Sequence, residues 1–129
     1  MELQFDEIRN VASIKLEGQL DKETILGALE ACVADDRYRP GMARLWDFFD
    51  ADLSTLNSDT VREMAQYSLK FPPGVGDVKV AFVTDRKLEF GLARMFEMSS
   101  RAATPIRVFQ KMDEAVDWMT EKPGEGARL

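Results

Sequence analysis

The sequence predicts an α/β domain: a mixed sheet of four or five strands with helices packed on it. Three observations carry this. Residues 2 to 8 and 11 to 17 alternate apolar and polar side chains on either side of a short polar turn, the pattern of an antiparallel hairpin. Further on, apolar runs alternate with segments of helical spacing, which implies right-handed crossovers onto a mainly parallel sheet. No repeat or linker interrupts the 129 residues, a length suited to one core.

The elements follow in order. In the hairpin, Leu3 and Phe5 oppose Glu2, Gln4 and Asp6, and Ala12, Ile14 and Leu16 share one face of the second arm. Asp21 opens a helix as its N-cap, with Leu20 and Ile25 at the spacing of a hydrophobic staple. Ile25, Leu29, Cys32 and Val33 form the apolar stripe. The helix frays near Asp35-Asp36, before the turn Tyr38-Arg39-Pro40-Gly41. Ala43 to Phe49 is a buried strand. A helix runs from about Ser58 to Phe71, with Val61, Met64, Ala65 and Ser68 inward, and Pro72-Pro73-Gly74 stops it. "VKVAFVT", residues 78 to 84, reads as a central parallel strand. The helix from about Lys87 to Arg101 turns Leu88, Leu92, Met95, Phe96 and Ser99 inward. Pro105 to Phe109 is the last strand, and the helix Asp113 to Glu121 presents Val116 and Met119. Residues 1–121 are expected to form a single domain, and the Gly- and charge-rich tail 122–129 a disordered end.

Composition removes several function classes. A net charge of −6 repels phosphate backbones, so nucleic acid is not an expected partner. There is no histidine, which excludes Ser-His-Asp and Cys-His mechanisms and histidine metal sites. One cysteine, Cys32, permits no intramolecular disulfide and makes a zinc site implausible. No cofactor or metal is predicted. The start lacks a signal-peptide pattern, and no stretch approaches the roughly 18 apolar residues of a membrane span. A cytoplasmic location is expected.

Several segments carry a resemblance. They are "GQLDKETILGALE", the strand and aspartate-rich loop "LWDFFDADLS", "KVAFVTDRKLEFGLARMFE" and "IRVFQKMDEAVDWM". With this order of elements the chain resembles the SpoIIAA-like (STAS/Sec14-like) family, from the hairpin to Trp118. The resemblance implies a STAS-like fold: an N-terminal antiparallel hairpin, then helix and β-α-β-α-β-α. It implies a non-enzymatic regulatory or binding module of bacterial type, as a homodimer or with a protein partner, an apolar small molecule or a lipid. In the anti-sigma-factor antagonists a serine at the N-terminus of the helix after this strand is phosphorylated. Ser58 is the matching acceptor with a one-residue shift, while the antagonists' pattern of an aspartate, paired serines and a glycine is absent.

The stretch "RLWDFFDADLSTLNSDTVREM" concentrates the remaining candidates. One reading is structural: Thr60 to Glu63 fit a capping box, Ser58 or Asn57 cap equally well, and Asp50 and Asp52 are solvated loop residues. Another places a ligand crevice at the strand ends, with Asp50, Asp52, Asn57 and Thr84 on it. An enzymatic alternative is an aspartate-based phosphotransferase using Asp50 and Asp52 with magnesium. It lacks the larger domain and the later acidic ligands such enzymes need. A receiver-type phosphoacceptor requires an acidic pair after the first strand, and Asp35-Asp36 follow a helix instead. On the helix from residue 87, Phe90, Gly91, Arg94, Met95 and Met98 are candidates for a partner surface or the rim of an apolar pocket. Gly91 in mid-helix suggests close approach of another helix or a ligand.

Overall fold

The computed structural model describes residues 1–68, 70–72, 75–100 and 105–121. Pro73, Gly74, Arg101 and the tail 122–129 lie outside the described residues, as do the side chains of Ala65, Ser68, Leu88 and Ser99.

The elements are β1 (Glu2–Asp6), β2 (Val11–Lys15), β3 (Gly18–Gln19), α1 (Lys22–Ala34), β4 (Ala43–Asp47), β5 (Ala51–Asp52), α2 (Ser58–Ser68), β6 (Val80–Val83), α3 (Lys87–Ser100), β7 (Ile106–Phe109) and α4 (Met112–Met119). The main sheet has five strands in the order β1-β2-β4-β6-β7. β1 pairs antiparallel with β2, and β2, β4, β6 and β7 run parallel. The expected hairpin and the interior position of the 78–84 run are both present. That strand is shorter than its apolar run, and α2 ends at Ser68 rather than Phe71.

Handedness fixes the layers. The strand order β2-β4-β6-β7 advances in one direction, so three right-handed crossovers place α1, α2 and α3 on one face. The register aligns Ile14, Trp46, Phe82 and Val108 in a row across that face. Ile25, Ala28 and Leu29 from α1, Val61 and Met64 from α2, and Leu92 and Ala93 from α3 pack against it. After β7 the chain turns to the other face, where Ala115 and Met119 of α4 cover Val11, Ala43, Leu45, Ala81, Val83 and Phe109.

Local chemistry sets the helix starts. Asp21 caps α1: its Oδ1 accepts from the Thr24 N–H at 2.8 Å and the Thr24 hydroxyl at 2.6 Å. Leu20 and Ile25 are both buried, as the staple requires. Asn57 caps α2 in the same way, accepting from the Thr60 N–H and hydroxyl, both at 3.0 Å. The capping box starting at Thr60 is therefore not formed. Glu63 instead meets Lys22 Nζ of α1 at 2.6 Å.

One pairing has no counterpart in the sequence reading. β3 and β5 form a two-stranded parallel sheet. The Gly18 N–H donates to the Asp50 carbonyl at 3.0 Å and the Leu20 N–H to the Asp52 carbonyl at 2.9 Å. Gly18 adopts φ +75°, a left-handed conformation that favours glycine. Asp50 and Asp52 are thus not in a free loop. Their backbone is tied to the chain leaving β2.

Candidate functional site

The face carrying the three crossover helices is not filled. A cavity of about 60 Å³ lies between the sheet and α1–α3. The sheet side is Arg44, Trp46, Val80, Phe82 and Ile106, and the helix side includes Leu29, Val61, Met64, Leu92 and Phe96. Phe48, just beyond β4, stacks on Phe82 with ring centroids 5.6 Å apart, and Phe96 meets Phe82 edge-on at 5.2 Å. Such ring pairs contribute about 0.5–1.5 kcal/mol each beyond their burial, so these walls are stiff.

Arg44 departs from the apolar lining. Strand alternation puts it on the same face as Trp46, and it is 2% exposed. Its Nη1 donates to the Val75 carbonyl at 2.6 Å and to the Tyr38 hydroxyl at 3.1 Å. Its Nε–H is sealed from solvent and has no acceptor. Nearby, burial pushes the Cys32 thiol up to about 11 against the opposing pull of Arg44. The thiol is therefore neutral near pH 7 and supplies no counter-charge.

The opposite face leaves an open groove of about 470 Å³ beside α4, lined by Gln4, Asp6, Ser13, Lys15, Asp47 and Met112 among others. Asp47, then Asp50, hold the Lys15 ammonium above its ordinary value. This groove mixes polar and apolar groups, and its cations Lys15 and Arg9 are paired with Asp50 and Asp6.

The strand ends place the other candidates. Asp50 is exposed, with Lys15 Nζ 3.6 Å from its Oδ2. Asp52 is lowered from its ordinary value chiefly by hydrogen bonding from Ser54, whose N–H it accepts at 2.9 Å. Among the described residues no group of three or more His, Cys, Asp or Glu is arranged to hold a metal ion. Thr84 was expected on a ligand or partner surface but is fully buried. Its N–H donates to the Phe109 carbonyl at 3.0 Å, which draws the residue into the sheet's end.

Glu89, which the sequence reading passed over, organises this end. It is 4% exposed. Its Oε2 accepts the Leu53 N–H at 3.1 Å, and its Oε1 lies 3.6 Å from Arg86 Nε. Arg86 also donates to the Ala51 carbonyl. The first turn of α3 is thereby clamped to β5 and the loop beyond it. The helical spacing Glu89, Leu92, Ala93, Phe96 was the available signal: it puts Glu89 on the inner face.

The remaining candidates lie apart from the cavity. Ser58 is the exposed first residue of α2, beside the Asn57 cap. On α3, Phe90 is half-buried, Gly91 is exposed, and Arg94 pairs with Glu97 at 3.9 Å. Met95 is 36% exposed rather than inward, and Met98 is 65% exposed. A Cβ at Gly91 would meet nothing within 4 Å, so no other part of the described chain exploits the glycine.

No family model matches the chain, and no curated protein does. Among solved structures it is similar to an uncharacterized protein of the DUF3478 family with a SpoIIAA-like fold, from Shewanella loihica PV-4. The two share 18% identity over 92% of this chain and 90% of that one, with a TM-score of 0.58. Together with the sheet order and the N-terminal hairpin, this gives the chain a SpoIIAA-like, STAS-like fold.

Proposed function

We propose that this protein is a non-enzymatic binding module that holds a small apolar molecule between the five-stranded sheet and α1–α3. The observation that carries the reading is the cavity in the core, walled by Trp46, Phe48, Phe82 and Phe96. Interiors pack to crystal-like density, and an apolar void forfeits dispersion contacts that an occupant restores. The carboxylates at the strand ends support the binding reading over the phosphotransferase one, because Asp50 and Asp52 are engaged by Lys15 and Ser54.

A phosphorylation-controlled regulator is the second reading. It is favoured by the exposure of Ser58 at the start of α2, where a phosphate meets helix N-terminal amides.

Native mass spectrometry of freshly purified protein separates the two. An adduct removed by organic extraction supports the binding module. A clean unliganded mass, with a species about 80 Da heavier that Ser58→Ala abolishes, supports the phospho-regulator and contradicts the first reading.

A further inference from the structure

We infer that Arg44 is the anion-recognising residue of the cavity, so that the molecule held there carries a carboxylate on a short apolar body. This rests on the binding reading above and names the ligand class for the same cavity. A guanidinium is among the costliest groups to bury, and burial without a counter-charge is rare unless something else compensates. Arg44 is 2% exposed. Among the described residues no carboxylate forms an ion pair with it. Among the described residues its acceptors are the Tyr38 hydroxyl and the Val75 carbonyl, both neutral and both engaging Nη1. The Nε–H has neither solvent nor an acceptor, and an unsatisfied buried donor calls for a specific partner.

The surroundings select that partner. The guanidinium is planar and matches a carboxylate through parallel N–H donors. Trp46, Met64 and Phe82 leave the rest of the cavity with hydrocarbon and ring surface. A phosphate dianion needs more donors than this wall offers. The volume, about 60 Å³, is less than half of the roughly 150 Å³ that admits benzene in an engineered cavity. The site therefore suits a chain of a few carbons. The polar end lies at the N-terminal half of β4, and the apolar end lies against Phe82.

The test uses the full chain and compares propionate and butyrate with propionamide and butyramide, which match them in shape but lack the charge. Binding is read from NMR shifts of the Trp46 indole and the Met64 methyl, and Kd values from titration. The inference predicts carboxylates bound at least about tenfold tighter than the amides, with Arg44→Met levelling the two. Equal Kd values in the wild type, with both probes shifting Trp46 and Met64, overturn the role of Arg44 and leave the cavity reading standing. No shift at either residue overturns both, as do shifts confined to surface lysines. The wild-type comparison decides the matter even where Arg44→Met fails to fold.

Discussion

A buried arginine that serves a ligand and one that serves the fold respond in opposite ways to removal, and Arg44→Met tells them apart. The losses are local. The Val75 carbonyl and the Tyr38 hydroxyl each lose the Nη1 donor, at about 1–3 kcal/mol for a buried group left unsatisfied. The gain is the lifted desolvation penalty of an unpaired ion, several kcal/mol in real proteins. Methionine adapts to the slot without strain. The two sides nearly cancel, so the substitution should change the unfolding free energy by no more than about 1 kcal/mol in either direction. Breaking a paired buried charge costs about 3–5 kcal/mol by comparison. Urea denaturation followed by Trp fluorescence measures the difference, and an unchanged m-value shows that the unfolded state is comparable. A loss of about 3 kcal/mol or more would contradict this near-cancellation and show that the guanidinium also holds the fold together.

Three further outcomes follow. Glu89→Ala leaves the Leu53 N–H without its acceptor and should cost about 2 kcal/mol, and Arg86→Ala, which leaves the buried Glu89 carboxylate without its cation, should cost at least as much; a loss under about 0.5 kcal/mol from either in urea melts would contradict the clamp. Asn57→Ala removes the α2 cap and should cost about 1 kcal/mol, while Ser58→Ala should stay within about 0.5 kcal/mol; the reverse ranking would show that Ser58 is the cap. Hydrogen bonding from Arg37, through Nε at 2.9 Å and Nη2 at 3.0 Å, holds the Asp35 carboxyl down at about 2 from its ordinary value of 3.8. A lowered folded-state value means that the unfolded chain binds the proton more readily. The stabilisation is therefore present above pH 3.8 and lost as pH falls toward 2. The stability gap between wild type and Arg37→Ala should narrow over that window, and a gap independent of pH would contradict the pairing.

The layout of the chain was legible because period carried it. Alternation in 2–8 and 11–17 pointed to the hairpin, and the uninterrupted "VKVAFVT" to a strand flanked by neighbours on both sides. Asp21 announced α1 by its chemistry. Other features leave no periodic trace. The β3–β5 pair has two residues a side, too short for any repeat, and its partners are far apart in sequence. Arg44 and Glu89 were missed for a different reason: charged residues are read as exposed by default. Position contradicted that default in both. Arg44 shares the parity of Trp46 on β4 and of Phe48 just beyond it, and Glu89 shares the helical face of Leu92 and Phe96. Met95 shows the opposite error, since its hydrophobicity placed it inside while the helix turns it to the edge at 36% exposure. The cavity itself is a property of packing volumes across three strands and three helices, which no local pattern encodes.

A core between the sheet and α1–α3 that accepts an apolar occupant should also take up a noble gas. Diffraction from crystals of the full chain under xenon pressure tests it most directly, since xenon enters apolar cavities without needing any polar partner. A xenon peak enclosed by Leu29, Met64, Phe82 and Phe96 is expected. A closed, fully packed core at that place, with no xenon, would contradict it.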